Sequence, residues 1–208
     1  MSASVSASAP VGTRPPRRRL SWRVVDIVVA SILGVALGVV FWAWGFVYKV
    51  PSDLLGAALP GVQGLTNGLW LMAGVVGGLV IRKPGAAIYT ELLAAVVEAL
   101  IGSQWGGLMT IVYGVIEGLG AEIIFAILLY RRFGPAVSIL AGAAAGLFGA
   151  TMDLIFYYPG STALFVTLYL ASSIVSAALL AGLLGWLVVQ GLARTGALSK
   201  FPVGRRRV

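Results

Sequence analysis

The 208-residue chain contains no cysteine and no histidine. Without cysteine it cannot form disulfides or use a thiol nucleophile, and without histidine it cannot build a Ser-His-Asp triad or an imidazole pH switch. Cysteine and histidine are also the main ligands of zinc, and histidine is the common axial ligand of haem. We therefore expect no catalytic residues and no metal site in this chain.

Charged residues are also scarce. They make up 11% of the chain, whereas hydrophobic residues make up 59% and the mean hydropathy is +0.97. A soluble domain carries roughly 25% charged residues, because its surface faces water. Most of the outer surface must therefore face lipid, which predicts a multi-pass protein of the cell membrane.

Six long apolar runs predict an all-α integral membrane protein with a bundle of six transmembrane helices. A helix needs about 20 apolar residues to cross a bilayer, and the strict alternation of a transmembrane strand is absent. The runs span about 24–48, 65–81, 84–101, 106–130, 134–157 and 163–192. They predict a membrane domain over 24–192 with an outer loop at 49–64, a basic, disordered tail at 1–23 and a second basic tail at 193–208.

The net charge of +8 fits the topology of this bundle. With the amino terminus inside, every Lys and Arg except Lys49 falls in one of the two tails or in the inner turns at 82–83 and 131–133. This distribution obeys the positive-inside rule and predicts that both termini are cytoplasmic. Because the lipid bilayer accounts for the basic residues, no nucleic-acid partner is expected.

Apart from Asp26 at the very start of the first run, five acidic residues fall inside the predicted spans, where no Lys or Arg lies at comparable depth: Glu91, Glu98, Glu117, Glu122 and Asp153. An aspartate at the centre of a bilayer costs about 2.5–3.5 kcal/mol, so each acid is a candidate functional residue. By depth, Glu98, Glu117 and Asp153 belong to the outer half, whereas Glu91 and Glu122 suit helix or partner contacts on the inner side. For any one of them the alternative is a protonated carboxyl group hydrogen-bonded to a neighbouring helix.

Aromatic residues accompany the outer acids. Tyr113 precedes Glu117 by four residues and Tyr157 follows Asp153 by four, so each pair shares a helix face. Rings beside carboxylates suit a flat ligand that carries a positive charge or an amine. The predicted substrate-binding residues are Glu98, Tyr113, Glu117, Asp153, Tyr157, Trp105, Trp70 and Asn67. The aromatic residues that instead fit an interfacial belt are Trp42, Trp44 and Tyr48.

Small residues form a stripe on the first helix. Ala30, Gly34 and Gly38 recur every four residues, a spacing that lets helix backbones approach closely. Such a stripe is common at contacts inside a bundle. The alternative is a contact with another subunit.

Two stretches carry a resemblance to a known family. Residues 82–87 read RKPGAA and residues 117–122 read EGLGAE, both within a region that spans 68–132. Glu98 and the Tyr113-Gly114 pair lie in the same region. Together these segments resemble the YkoE-type S component of energy-coupling factor (ECF) vitamin transporters.

The resemblance implies a function. S components are six-helix, substrate-binding membrane proteins that work with a transmembrane coupling subunit, the T component, and two cytoplasmic ATPases. The YkoE-like members are associated with uptake of thiamin or its hydroxymethylpyrimidine precursor. ATP would be hydrolysed by the partner subunits, so no cofactor is expected in this chain. The family's AxxxA pattern on helix one, matched here by Ala30, Gly34 and Gly38 with glycine at two positions, implies the coupling-subunit contact.

Two other functions remain as alternatives. A standalone proton- or cation-coupled carrier could use the same acids as a proton relay. An intramembrane aspartyl protease would need a facing pair of aspartates, and Asp153 is the one aspartate deep in a predicted span. A rhomboid-like enzyme would need the missing histidine. The sequence therefore favours a transport protein over an enzyme.

Overall fold

The computed structural model describes residues 20–204, and within that range the chain is helical with no strand. The expectation of an all-α protein is confirmed. The helices are α1 (Val24–Val47), α2 (Lys49–Ala58), a 3₁₀ helix (Val62–Leu69), α3 (Met72–Ile81), α4 (Ala86–Gly102), α5 (Gly107–Ile127), α6 (Pro135–Phe156), α7 (Ala163–Ala177), a π-helical segment (Ala178–Leu184) and α8 (Gly185–Arg194).

Four of these helices are long and apolar enough to cross a membrane. They are α1, α5, α6 and the continuous helix Ala163–Arg194, which α7, the π-helical segment and α8 form together. The 3₁₀ helix and α3 provide a fifth candidate span if they are taken as one element with a 41° bend. Helix α4, at 17 residues, is shorter than these.

Helix α3 is the centre of the bundle. All ten of its residues are buried, although it is too short to cross a bilayer alone. Two of its glycines explain the close packing: a Cβ on Gly77 would lie 2.1 Å from Thr90 Oγ1, and one on Gly78 would lie 2.3 Å from the Phe125 ring. Because protein surrounds α3, its length need not match the thickness of the lipid.

The predicted outer loop at 49–64 is largely helical. Helix α2 occupies Lys49–Ala58, and the 3₁₀ helix begins at Val62. Pro51 lies in the first turn of α2, where a missing backbone N–H breaks no helical hydrogen bond. Gly61 links the two helices with a φ of +103°, a conformation that favours glycine. The sequence predicted a loop here because the segment lies between two apolar runs, but its mixed polarity is equally typical of a surface helix.

The carboxyl-terminal segment does not extend away from the bundle as far as residue 204. Leu198, Phe201 and Val203 are buried against the hydrophobic core. The predicted basic tail at 193–208 is therefore corrected in part, because three apolar side chains anchor its first half under the bundle. The predicted amino-terminal tail lies outside the described residues except for 20–23.

A buried ion-pair cluster closes the amino-terminal end of α1. The carboxylate of Asp26 has no solvent exposure, and it accepts hydrogen bonds from Lys83 Nζ and, at 2.8 Å, from Arg23 Nη2. Lys83 also donates to the Ser21 carbonyl oxygen at 2.6 Å. From the sequence, Arg23 and Lys83 were explained by topology alone, whereas Lys83 ties α1 to the turn between α3 and α4 and Arg23 caps the start of α1 through Asp26.

Candidate functional site: an acidic, aromatic cavity at one end of the bundle

A cavity of about 370 Å³ opens at the end of the bundle where α1 finishes and α3 begins. Five of the chain's seven acidic residues line it, as do eight aromatic residues. The acids are Asp53, Glu91, Glu98, Glu117 and Asp153, and the aromatic residues are Phe41, Tyr48, Trp70, Trp105, Tyr113, Tyr157, Tyr158 and Tyr169. The cavity has the size of a small-molecule site and an unusually acidic wall.

The structure brings all the sequence-predicted substrate-binding residues into this one cavity. They reach it from the 3₁₀ helix and the residue that follows it, from α4, from α5 and the turn between the two, and from the carboxyl-terminal end of α6. The residues concerned are Glu98, Tyr113, Glu117, Asp153, Tyr157, Trp105, Trp70 and Asn67. Both pairs of residues spaced four apart line the cavity, Tyr113 with Glu117 on α5 and Asp153 with Tyr157 at the end of α6.

Asp153 is held by three hydrogen-bond donors. Tyr113 donates to its Oδ1 at 2.8 Å, and Tyr169 donates to its Oδ2 at 2.8 Å. Asn67 Nδ2 lies 3.1 Å from the same Oδ2 and also contacts Ser173 Oγ at 3.2 Å. The carboxylate is thus fixed between α5, α7 and the 3₁₀ helix before any ligand binds.

Two further acids each have one donor. Trp70 Nε1 donates to Glu98 Oε1 at 3.2 Å, which links the residue after the 3₁₀ helix to α4. The Gly74 backbone N–H donates to Glu91 Oε2 near the amino-terminal end of α3. A single donor leaves most of the acceptor capacity of each carboxylate available to a ligand.

Glu117 differs from the other acids. Within residues 20–204 its carboxylate accepts no hydrogen bond, although it lines the cavity. Gly149 on α6 makes the room for it, because a Cβ at that position would lie 2.7 Å from Glu117 Oε1. A carboxylate without a protein donor, beside an open cavity, is suited to a donor or a positive charge supplied by a ligand.

Aromatic rings form a continuous wall at the mouth. The centroid of Tyr48 lies 4.9 Å from that of Trp70 and 5.6 Å from that of Trp105. Trp105 continues to Tyr157 at 5.6 Å, and Tyr157 to Tyr113 at 6.3 Å. These separations are typical of aromatic contacts, so the wall is one packed surface against which a flat ligand can stack.

Helix α2 borders the mouth with polar side chains. Lys49, Ser52 and Asp53 line the opening, and Lys49 Nζ lies 3.1 Å from Asp53 Oδ2. The hydrogen bond that Lys49 donates to the Asp53 carboxylate raises the pKa of Lys49, which keeps this exposed amine protonated. Because its positive charge is paired with Asp53, Lys49 does not offset the charge of the deeper acids.

Several residues that line the cavity were not predicted from the sequence. Tyr48 was assigned to an interfacial belt, and Glu91 to inner helix contacts, yet both line the cavity. Tyr169 was missed altogether. The signal for it was a polar stripe of Tyr169, Ser173 and Ser176 at helical spacing inside an apolar run, which marks a face turned toward polar neighbours rather than lipid.

Glu122 lies outside this cavity, on the opposite face of α5 from Glu117. It accepts hydrogen bonds from the backbone N–H groups of Gly85 and Ala87 at 2.7 and 2.8 Å, and from Tyr130 at 2.6 Å. It therefore caps the amino-terminal end of α4, which is an inner helix contact of the kind the sequence analysis expected.

The small-residue stripe of α1, which the resemblance assigned to a coupling-subunit contact, is covered by α4 inside the bundle. Ala30, Gly34 and Gly38 are all buried. A Cβ on Gly34 would lie 3.1 Å from the carbonyl oxygen of Thr90, and one on Gly38 would lie 2.6 Å from that of Ala94. Helix α4 occupies this face, so in this structure the stripe serves internal packing.

The chemistry of the cavity favours an organic cation or amine over a metal ion. Carboxylates alternate with rings, so that a flat cationic ligand could stack and be neutralised at once. Within the part of the chain described, no three acidic side chains come together as a metal-ligand group. The cavity also combines ring surface with a few polar groups, which is typical of sites for small organic molecules.

Known proteins are similar to this chain in sequence and in fold. A family model described as "ABC-type cobalt transport system, permease component" matches residues 25–148. YkoE of Bacillus subtilis (strain 168), named as an HMP/thiamine permease protein, is 34% identical over 190 residues, which are 89% of this chain and 92% of that protein. A solved structure titled as an S-component of ECF transporter superposes with a TM-score of 0.81 at 33% identity, and it covers 89% of this chain and 92% of its own.

These similarities extend over nearly the whole described structure, the acidic cavity included. They agree with the resemblance that residues 68–132 carry. The relatives are transport proteins, and several apolar helices indicate a multi-pass protein of the cell membrane. The chain is therefore not an enzyme but a member of the YkoE family, a substrate-binding S component of ECF transporters.

Proposed function

We propose that this S component captures thiamin or its hydroxymethylpyrimidine precursor in the outer cavity and delivers it inward. The observation that carries the proposal is Glu117, a carboxylate without a hydrogen-bond donor within residues 20–204, facing a cavity walled by aromatic rings. Thiamin carries a permanent positive charge and a flat aminopyrimidine ring. At ~4 Å and an effective dielectric of ~20, a charge pair contributes about 4 kcal/mol, enough to orient such a ligand.

The relative's name supports this choice of substrate. YkoE of Bacillus subtilis is named for HMP and thiamine. The precursor is neutral, but its amine can donate to Glu98 or Asp153, which already lie in the wall. The rings of Trp105 and Tyr157 are positioned to stack on either molecule.

Transport requires partners that hydrolyse ATP. We propose a T component and two cytoplasmic ATPases as partners, and no cofactor bound to this chain. The coupling complex would rotate or topple the S component in the bilayer so that the loaded cavity reaches the inner side. Because α4 covers the Ala30, Gly34 and Gly38 stripe, the T component would contact other surfaces unless α1 and α4 separate.

We propose that the protein has six membrane spans and that both of its termini are cytoplasmic. The bent pair of the 3₁₀ helix and α3 forms the second span, and α4 forms the third. These two are short because neighbouring helices enclose much of their surface. The membrane domain then covers 24–192 between basic tails at 1–23 and 193–208, and the positive-inside rule supports this orientation.

The experiment is a binding titration on the purified chain. Thiamin, hydroxymethylpyrimidine and Co²⁺ are each titrated into wild type, Glu117→Gln and Asp153→Asn, because the family description mentions cobalt. Loss of the Glu117 charge should weaken thiamin binding by roughly tenfold or more, as expected for a charged hydrogen bond. Glu122→Gln, the same substitution outside the cavity on the same helix, is the matched control and should bind normally.

Unchanged thiamin affinity in both cavity variants would reject the site, and tight binding of Co²⁺ alone would reject the substrate. Vesicles that contain only this chain distinguish a standalone carrier from an S component that needs partner subunits. Uptake by the chain alone, abolished when the pH gradient is collapsed, would support the carrier. Uptake that requires the partner subunits and ATP supports the S component.

A further inference from the structure

The lining of the acidic cavity is unbalanced in charge. Five carboxyl groups line it, whereas Lys49 is the one basic residue in the part of its wall that residues 20–204 form. The Nζ of Lys49 lies 3.1 and 3.3 Å from the two carboxylate oxygens of Asp53. Because this pair is neutral as a whole, the cavity presents an excess of acid to any ligand.

Several hydrogen-bond donors of the wall already serve its own acids. Trp70 Nε1 donates to Glu98 at 3.2 Å. The hydroxyls of Tyr113 and Tyr169 both donate to Asp153 at 2.8 Å. The described lining also contains no arginine, the side chain that best matches phosphate oxygens. A phosphate group in the cavity would meet neutral hydroxyl, amide and indole groups, which do not offset its charge.

The start of α3 is occupied by an acid of the protein itself. Backbone N–H groups at the beginning of a helix are a common site for phosphate. Here the N–H of Gly74, in the first turn of α3, donates to Glu91 Oε2. A Cβ on Gly74 would lie 3.0 Å from the same oxygen, so the carboxylate packs directly against this helix. Glu91 thus takes the position in which a phosphate would find backbone donors.

Asp53 extends the acidic wall to the mouth. It lies on α2, and its side chain and that of Lys49 are 65% and 70% exposed. A ligand that carries an extra group toward the mouth brings that group past this pair. While Asp53 holds Lys49, a negative group meets no unpaired cation there. Without the Asp53 charge, the same lysine would present one.

The charges of the wall indicate which chemical form of the ligand can bind. We propose that the cavity takes the organic cation only in its unphosphorylated form, and that Asp53 determines this specificity by neutralising Lys49. The inference rests on the function proposed above, since it takes thiamin as the ligand. Thiamin monophosphate adds a charge of about −1.5 to −2 to the same cation. Like charges brought together at a binding site suppress the wrong partner.

The experiment compares three ligands on the purified wild-type chain by isothermal titration calorimetry, at one pH and one ionic strength. The ligands are thiamin, thiamin monophosphate and the O-acetyl ester of thiamin, which adds bulk at the same position without negative charge. Wild type should bind the monophosphate about a hundredfold less tightly than thiamin, and the acetyl ester more tightly than the monophosphate. Equal losses for the two esters would mean that bulk decides, and would overturn the proposal.

Two variants test the role of Asp53. Asp53→Asn leaves Lys49 without its partner and should raise the affinity for the monophosphate, relative to thiamin, by about tenfold. Adding Lys49→Gln should abolish this gain. Because the pair is exposed, its loss should leave folding intact. Glu122→Gln removes an acid outside the cavity and is the matched control, which should keep the wild-type ratio. A wild-type ratio in Asp53→Asn as well would overturn the role of Asp53.

The wild-type titrations also separate this inference from the proposed function. If wild type binds thiamin and its monophosphate equally well, the inference fails while the proposed function stands. If wild type binds neither thiamin nor hydroxymethylpyrimidine, the proposed function fails, and this inference fails with it.

Discussion

The phenol of Tyr113 donates a hydrogen bond of 2.8 Å to Asp153, and this contact joins α5 to α6 inside the outer cavity. Tyr169 donates to the other carboxylate oxygen from α7. Asp153 is therefore part of the wall as well as a candidate ligand contact, whereas Glu117 on the same side of α5 has room but no donor within residues 20–204. In the function we propose, the two acids would have separate tasks: Asp153 would hold the shape of the cavity, and Glu117 would meet the charge of the substrate.

Gly149→Ala should weaken thiamin binding without unfolding the protein. The new Cβ would lie 2.7 Å from Glu117 Oε1, so the carboxylate must turn away from its present position. The neighbouring atom is the end of a flexible side chain, which can move at little cost to stability. We expect the dissociation constant for thiamin, measured by isothermal titration calorimetry, to rise roughly tenfold, as for loss of one charged contact.

Gly191→Ala is the control for this prediction. Gly191 also lies in a helix, α8, but nothing lies within 4 Å of its added Cβ. Alanine should keep thiamin affinity unchanged and raise helix stability by about 0.5–1 kcal/mol. Normal binding in Gly149→Ala would show that the position of the Glu117 carboxylate is unimportant.

That these residues lie together in a cavity was predictable because their chemistry conflicts with lipid. An acid or a Tyr in an apolar run has few explanations, and helical spacing assigned Tyr113 with Glu117, and Asp153 with Tyr157, to shared faces. Tyr48 was not predictable, since a ring near the end of a span suits a lipid interface as well as a cavity. The π-helical segment Ala178–Leu184 was not predictable either. All its residues are apolar or glycine, and such a run does not distinguish a π-helix from an α-helix.

The α1 stripe shows the same limit for packing. The spacing of Ala30, Gly34 and Gly38 predicted a close helix contact, and such a contact is present. The partner could not be predicted, because small residues permit close approach by any helix and specify none. Long-range pairing, such as that of Asp26 with Lys83, was hidden for a similar reason: Lys83 already had a satisfactory explanation in the topology, and nothing in the sequence singled out Asp26 as its partner.

Gly38→Ala should destabilise the isolated S component. Its Cβ would lie 2.6 Å from the Ala94 carbonyl oxygen and 2.8 Å from Val97 Cβ, and backbone cannot move as a side chain can. Overpacking of this kind costs about 1–3 kcal/mol. Thermal unfolding in detergent, without partner subunits, measures the effect. Unchanged stability together with lost binding to the T component would return the stripe to a subunit contact.

Lys83→Met should destabilise the protein more than Arg23→Met. Each variant removes one of the two partners of Asp26. The Lys83 side chain is 10% exposed, whereas that of Arg23 is 50% exposed. Breaking a buried pair costs about 3–5 kcal/mol, whereas an exposed pair contributes about 0–1 kcal/mol. Unfolding in a denaturing detergent gradient ranks the two variants, and the double variant Asp26→Leu with Lys83→Met should recover part of the loss. Equal losses from the two single variants would contradict a buried role for Lys83.

Tyr169→Phe should weaken thiamin binding, whereas Tyr158→Phe should not. The two rings lie 5.1 Å apart and both line the cavity, but Tyr169 alone of the two donates to Asp153. Removal of that hydroxyl leaves Asp153 Oδ2 with the weaker contact from Asn67 at 3.1 Å, so the carboxylate gains freedom that a ligand must then restrict. A hydrogen bond to a charged group contributes about 1.5–3 kcal/mol, so we expect affinity to fall by roughly tenfold or more in titration calorimetry. The same loss in both variants would mean that the phenol hydroxyls of the wall in general, and not the fixed carboxylate, determine binding.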